Sequence, residues 1–235
     1  MTETTTDRRF TVPLYSVSEA SRYLRLPRQT LVNWTDGYSS GGEAPVVGTP
    51  LVTAFASKAE RNQPRLPFIG IAEAYVLNVF RRAGVPLQRI RPSLDALKNE
   101  LGPHALASNR LFTDGAEVLW NLGSHAPEGT PEQISAMRLL VPRSGQYVFN
   151  EVVAQYLKRI AFSDGYARLI RLENYGEAEV VLDPDRGYGH PIFAKAGVTV
   201  DNVLGAIRAG DSLEDTAEDY GLPVAELRDA LSLSA

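Results

Sequence analysis

The chain has 235 residues, of which 44% are hydrophobic and 22% are charged, a composition typical of a folded protein. The sequence contains no cysteine, which excludes disulfides, thiolate metal sites and cysteine nucleophiles. It has no run of 18 apolar residues and its first nine residues are polar, so we expect a cytoplasmic protein without a signal peptide.

The net charge of −4 is unevenly distributed along the chain. Residues 1–110 carry 14 Lys and Arg against 9 Asp and Glu, whereas residues 179–235 carry 4 against 11. Attraction to phosphates acts locally through a basic face. The first half therefore suits nucleic acid, and the acidic end suits a protein partner.

Residues 15–34 predict two short helices joined by a tight turn, the shape that carries a helix into the DNA major groove. Ser16 and Glu19 have the spacing of a capping box at the start of the first helix, and the second helix is expected to begin near Pro27. Helix-turn-helix shapes also occur in proteins that never contact DNA. The DNA-binding interpretation depends on four outward residues that can hydrogen-bond bases or phosphates: Arg28, Gln29, Thr30 and Asn33.

The next segment has the order of a DNA-binding wing. Residues 50–55 predict a strand, residues 57–65 a polar tip, and an apolar run begins at Leu66. A solvated charged loop is the alternative. In the wing interpretation, three basic side chains of the tip contact the DNA backbone: Lys58, Arg61 and Arg65.

Two helices are predicted after the wing. Residues 68–82 have a broad apolar face that ends before Gly84, and a second helix runs from the segment 85–91 to a stop at Gly102. Their arginines are either a second phosphate-facing cluster or ordinary surface charges: Arg81, Arg82, Arg89 and Arg91.

Residues 103–178 predict a mixed α/β connector or dimerisation segment. Residues 110–120 contain an Asp-Gly pair between two apolar runs, which predicts a hairpin. A strand around 146–149, a helix over about 151–159 and a strand around 167–172 follow.

Residues 179–235 predict a compact module of short strands and three helices. The strands are expected at 180–182 and 191–193, and the helices at 200–209, 212–220 and after Pro223. Seven carboxylates cover the last two helices: Asp211, Glu214, Asp215, Glu218, Asp219, Glu226 and Asp229. Such a face would repel a duplex, so we expect its first five members to contact a protein.

Two motifs, found in the expected order along the chain, resemble those of a known family. The opening Ser-x-x-Glu-Ala and the ending Thr-Leu-x-x-Trp of residues 16–34 resemble the helix-turn-helix of MerR-type and excisionase-type regulators, with Val32 and Asn33 where such regulators often carry arginines. The runs Ala-Gly-Asp-Ser at 209–212 and Glu-Asp-Tyr-Gly-Leu at 218–222 resemble the domain-of-unknown-function module of VapB-type antitoxins.

The resemblance implies an α+β, helix-rich fold in three regions: a MerR-like winged helix-turn-helix in 1–102, the mixed segment in 103–178, and an acidic antitoxin module in 179–235. It also implies the antitoxin of a type II toxin–antitoxin system. Such an antitoxin neutralises a VapC-like toxin, a metal-dependent ribonuclease with a PIN-type fold, and as a homodimer represses its own promoter. The alternative is a stand-alone MerR-like transcription regulator whose C-terminal part senses a ligand.

An enzyme is not expected. Asp183 and Asp185 are close in sequence, but no nucleophile–base pair, phosphate-binding glycine loop or metal-ligand spacing accompanies them. We expect no cofactor and no metal, because the three histidines lie too far apart in sequence for a helical ligand pair: His104, His125 and His190.

Overall fold

The computed structural model describes residues 7–39, 47–56, 62–84, 87–140, 142–143, 146–147, 154 and 158–233. These residues are mostly helical and include a four-stranded antiparallel sheet, which confirms the expected α+β, helix-rich class. Within these ranges, each helix is too short or too polar to cross a lipid bilayer.

The first half is a helix-turn-helix packed on two longer helices. Its helices are α1 Arg8–Thr11, α2 Val17–Tyr23, α3 Arg28–Asp36, α4 Phe68–Arg82 and α5 Leu87–Leu101. After α3, the two-residue strands β1 Tyr38–Ser39 and β2 Val47–Gly48 pair in antiparallel register. α4 has the bounds that its apolar periodicity predicted, and α5 ends at the expected residue.

α4 is the most buried helix of this half. All thirteen of its residues from Phe68 to Phe80 are buried. At Gly70 the helix passes so close to the backbone of Thr53 that an added Cβ would lie 2.1 Å from the Thr53 carbonyl oxygen. One turn later, the fully buried Glu73 carboxylate accepts a hydrogen bond from the Thr53 backbone N–H at 2.6 Å.

The predicted strand at residues 50–55 is wrong. The backbone N–H groups of Leu51 and Val52 donate to the carbonyl oxygen of Trp34, at 2.8 and 3.0 Å. The N–H of Thr53 is bound by Glu73. The donors that a strand ladder would use are therefore bound by an α3 carbonyl and an α4 side chain, and the segment stays irregular.

The predicted hairpin at residues 110–120 is also wrong. This segment forms α6 Arg110–Thr113 and α7 Gly115–His125, and α7 packs against α8 Pro131–Leu140. Gly115, Leu119 and Gly123 are all buried at helical spacing, so one face of α7 lies in the core. That periodicity outweighed the Asp-Gly turn signal.

The second half is built on one antiparallel sheet. A two-residue pair, β3 Pro142–Arg143 and β4 Gln146–Tyr147, precedes it. The sheet has the order β5-β6-β7-β8, with β5 Ile160–Ser163, β6 Tyr166–Arg171, β7 Val180–Leu182 and β8 Ile192–Phe193. The strands predicted around 167–172, at 180–182 and at 191–193 are confirmed. The predicted strand at 146–149 begins as β4 and its end lies outside the described residues, as does most of the helix predicted at 151–159.

Three capped helices close the chain, as predicted: α9 Val200–Ala209, α10 Leu213–Tyr220 and α11 Val224–Leu233. Thr199 and Ser212 cap the starts of α9 and α10, and Gly210 and Gly221 end them in the left-handed conformation. The three-region division stays a prediction. The strands β6 and β7, which lie on either side of residue 178, belong to one sheet.

We expect Gly70→Ala to lower the free energy of unfolding by roughly 1–3 kcal/mol, because the new methyl group meets backbone and not a flexible side chain. Gly205→Ala is the matched control. Gly205 lies inside α9 with no atom within 4 Å of an added Cβ, so alanine there should raise stability by about 0.5–1 kcal/mol. Urea unfolding of both variants tests this, and equal shifts would contradict the close approach at Thr53.

Candidate nucleic-acid interface

α2 begins with the capping box that the sequence predicted. The backbone N–H and the hydroxyl of Ser16 donate to the Glu19 carboxylate at 2.8 and 2.7 Å. The N–H of Glu19 donates to the Ser16 hydroxyl oxygen at 3.2 Å. Two backbone donors that the helix leaves unpaired are thereby satisfied, which fixes the start of α2.

The turn between α2 and α3 is attached to the buried helix α4. Arg25 has a left-handed backbone, with φ of 47°, and the N–H of Leu26 donates to the Ser21 carbonyl at 2.9 Å. Inside the protein, the side-chain amide of Asn78 on α4 donates to the Leu24 carbonyl at 2.9 Å. The angle at which α3 leaves the turn is therefore set by contacts with the core.

α3 has one buried and one outward face, as predicted. Leu31 and Trp34 lie in the core against α2 and α4. The four residues predicted to contact DNA are exposed or half-buried: Arg28, Gln29, Thr30 and Asn33. Their contact with DNA stays a prediction.

Hydrogen bonds link this outward face to Ser18 on α2 and, through Ser18, to Asn62. Gln29 Nε2 donates to Asn33 Oδ1 at 3.0 Å. Arg28 Nε donates to the hydroxyl oxygen of Ser18 at 3.3 Å, and that hydroxyl donates to Asn62 Oδ1 at 3.1 Å. The polar groups of α3, α2 and the loop thus form one surface.

The structure places Arg65 beside the end of α3, and the wing itself stays a prediction because residues 57–61 lie outside the described residues. Its guanidinium donates to both carboxylate oxygens of Asp36, at the end of α3, and its Nε donates to the Phe55 carbonyl at 3.2 Å. The Arg65 side chain is only 15% exposed. The contact of Arg65 with the DNA backbone stays a prediction, and Lys58 and Arg61 lie outside the described residues.

Two of the other arginines of α4 and α5 are bound by protein groups. Arg91 Nη1 donates to the carbonyl and hydroxyl oxygens of Thr49, at 2.6 and 2.9 Å. Arg82 donates to Glu173 at 2.9 Å. Arg81 is exposed, and the side chain of Arg89 lies outside the described residues.

α10 and its N-terminal flank carry the acidic face that was predicted to meet a protein. All five of its carboxylates are exposed: Asp211, Glu214, Asp215, Glu218 and Asp219. Asp215 also completes a cap, because the Ser212 hydroxyl donates to its carboxylate at 2.6 Å. The other two acidic residues make contacts within the chain: Glu226 lies 3.9 Å from Lys195 Nζ, and Asp229 accepts from the Glu177 N–H at 2.8 Å.

The C-terminal module lies directly against the helix-turn-helix. The Tyr23 hydroxyl on α2 lies 3.2 Å from His190 Nδ1, and the Asn174 side-chain amide donates to the Tyr23 carbonyl at 3.2 Å. Burial raises the pKa of Tyr23 to about 12, so its hydroxyl is neutral at pH 7. None of these partners is close in sequence.

Two family models match the chain. Residues 13–94 match a putative DNA-binding HTH domain, and residues 180–233 match a protein family of unknown function, DUF433. The first range holds the helix-turn-helix, and the second begins with β7 and ends in α11. The fold and these matches define a helix-turn-helix protein that carries a second, acidic module.

Similar proteins identify the family. The chain is 56% identical over 230 residues to the putative antitoxin VapB45 of Mycobacterium tuberculosis (strain ATCC 25618 / H37Rv), across 97% of this chain and 96% of that protein. It is 26% identical over 228 residues to the uncharacterized protein Rv2308 of the same organism, across 93% and 88% of the two chains. The X-ray crystal structure of Rv2018 from Mycobacterium tuberculosis matches with a TM-score of 0.80 and 55% identity, across 95% of this chain and 99% of that one. The chain belongs to the VapB antitoxin family, which confirms the resemblance to VapB-type antitoxins. The MerR-like character of the helix-turn-helix stays a prediction.

We expect the Arg65–Asp36 pair to contribute a coupling free energy of about 1 kcal/mol, because it is bidentate and the Arg65 side chain is only 15% exposed. A double-mutant cycle with Arg65→Ala and Asp36→Ala, read by urea unfolding, measures it. The Arg110–Asp114 pair is the control, because it has one hydrogen bond and its arginine is 53% exposed, while the two aspartates are similarly exposed. It should couple more weakly than the bidentate pair. If the two couplings were equal, Arg65 would not hold its segment to the end of α3.

Proposed function

We propose that this protein is the antitoxin of a type II toxin–antitoxin pair. It neutralises a VapC-like ribonuclease toxin with a PIN-type fold by direct binding, and as a homodimer it represses its own promoter. The observation that carries the proposal is the presence, on one chain of this family, of two chemically different surfaces. One is the polar outward face of α3, and the other is the exposed acidic face of α10.

The α3 face supports DNA binding through the groups that it leaves available. The bond between Gln29 Nε2 and Asn33 Oδ1 uses one donor and one acceptor. Gln29 Oε1 and the Asn33 amide N–H groups can still pair with base edges, for which adenine is the usual partner of both residue types. Arg28 adds an exposed cation at the first turn of α3. A homodimer fits this role, since paired recognition helices match symmetric operators.

The α10 face supports toxin binding through its charge. Four of its carboxylates make no hydrogen bond or ion pair within the described residues: Asp211, Glu214, Glu218 and Asp219. A ribonuclease needs a basic surface to hold RNA, and an acidic face is complementary to it. Complementary charge accelerates association more than it raises the final affinity.

For DNA, we expect Arg28→Gln to weaken binding to a duplex carrying the protein's own promoter by about tenfold, the loss of one charge-assisted contact. The wild-type affinity should fall with salt, with a log–log slope of about −0.9 per phosphate contacted. Fluorescence anisotropy at several salt concentrations measures both.

The control for this experiment is Arg228→Gln, which removes an exposed arginine from α11, in the acidic module. It should leave DNA affinity unchanged. An affinity that does not depend on salt, or an Arg28→Gln variant as tight as the wild type, would refute the DNA-binding role of α3.

For the toxin, we expect the fourfold variant Asp211→Asn, Glu214→Gln, Glu218→Gln, Asp219→Asn to slow association with the VapC-like toxin by at least about tenfold at low salt. Asp215 is kept because its carboxylate accepts a hydrogen bond from Ser212, the residue that caps α10. Stopped-flow or surface plasmon resonance measures the association rate. Substitution is preferred to truncation, because removing residues after 178 would take β7 and β8 out of the sheet.

A matched control removes the same four charges elsewhere, from exposed carboxylates of α5, α7 and α8: Asp95→Asn, Glu100→Gln, Glu117→Gln and Glu132→Gln. It has the same net charge as the fourfold variant and should associate at close to the wild-type rate. Equal slowing in both variants would mean that overall charge, and not the α10 face, steers the toxin.

A further inference from the structure

A cleft of about 340 Å³ separates the helix-turn-helix from the C-terminal module. Three arginines line it. Arg22 and Arg25 come from the end of α2 and the turn that follows, and Arg208 comes from the last turn of α9. Residues almost 190 positions apart thus bring three cations to one cavity.

These three cations lack the pairing that other arginines have. Arg65, Arg82 and Arg186 each form an ion pair within 4.0 Å. Among the residues that the structure describes, the three cleft arginines form none. Arg25 Nη2 makes a long contact, 3.5 Å, with the Asn174 carbonyl. Arg22 makes a side-chain hydrogen bond with Tyr23 and is attracted by the Asp201 carboxylate. One carboxylate faces three guanidinium groups in this lining, so a bound anion would balance the remaining positive charge.

The rest of the lining is suited to an anionic ligand that also carries an aromatic ring. Tyr23 and Tyr175 line the same cleft. The Tyr23 hydroxyl already lies beside His190, whereas burial raises the pKa of the half-buried Tyr175, whose hydroxyl is therefore neutral at pH 7 and able to donate. Asp201 is the carboxylate of the lining. With three guanidinium groups against it, the cleft keeps a formal charge of +2.

We propose that this cleft binds a phosphate-bearing small molecule of the nucleoside diphosphate class. A guanidinium group donates two parallel hydrogen bonds to a pair of phosphate oxygens. A diphosphate has enough oxygens to pair with three guanidinium groups, whereas a single carboxylate pairs with one. The volume lies within the usual range for small-molecule sites and exceeds that needed for one phosphate. Tyr175 is a half-buried ring of the lining, and an aromatic ring is the side chain on which a base stacks.

The site connects the two modules. Arg22 and Arg25 lie within the matched range 13–94, and Arg208 lies within the matched range 180–233. A ligand held by both sides therefore links the DNA-reading half to the acidic module. Any effect of this ligand on DNA or toxin affinity must be matched by an equal effect of DNA or toxin on the ligand.

Isothermal titration calorimetry of the full chain with inorganic pyrophosphate and with ADP tests the proposal, at constant ionic strength. Both probes should bind the wild type, and Arg208→Gln should weaken each by about tenfold, the loss of one charge-assisted contact. Arg25→Gly should do the same without disturbing the turn, because glycine adopts φ of 47° without strain. Arg228→Gln, on α11 outside the cleft, should bind as the wild type does.

Absence of binding at roughly millimolar probe would overturn the proposal, as would an Arg208→Gln variant that binds as tightly as Arg228→Gln. A further arm measures binding of the same variants to a mixed-sequence DNA duplex. If Arg25→Gly and Arg208→Gln weaken duplex binding while pyrophosphate does not bind, the cleft contacts the DNA backbone and the small-molecule site is refuted.

Discussion

The position of residues 51–55 depends on one buried carboxylate. Burying a carboxylate is costly unless its oxygens are hydrogen-bonded. The Glu73 oxygens accept from the N–H and the hydroxyl of Thr53, and Oε1 lies 3.1 Å from His104 Nδ1. Moving Thr53 away from α4 would leave these buried oxygens without two of their hydrogen-bond donors. Gly70, one turn earlier, provides the space for that approach.

The arginines of the basic half fall into two groups with different physical roles. Arg65, Arg82 and Arg91 are bound to carboxylates or carbonyls and hold elements of the fold together. Each of these three side chains already donates to a protein group. By contrast, the exposed arginines of the basic half that form no ion pair within the described residues include Arg22, Arg25, Arg28 and Arg81. A surplus of positive charge in a sequence therefore overstates the number of cations that are available to DNA. Which cations are available has to be read from their contacts.

Features set by neighbouring residues could be predicted from the sequence, and features set by distant ones could not. The capping box of Ser16 and Glu19, the bounds of α4 and the three C-terminal helices follow from local spacing. The strand expected at 50–55 failed because its donors are bound by an α3 carbonyl and an α4 carboxylate far away in the chain. Likewise, no local signal shows that Arg65 pairs with Asp36, or that Arg208 joins the α2 arginines. The α7 helix, by contrast, had a local signal in its buried glycines and Leu119, which the Asp-Gly pair obscured.

The acidic module is structurally part of the protein and not an attached tail. Its first strands complete a sheet begun by β5 and β6, and His190 reaches the Tyr23 hydroxyl on α2. A toxin bound at α10 and an operator bound at α3 would therefore act on elements that share contacts. Coupling between two sites requires elements whose arrangement both ligands bias. The junction of α2, the residues around Asn174 and α9 is the place to look for such an element, because each of the two modules supplies part of it.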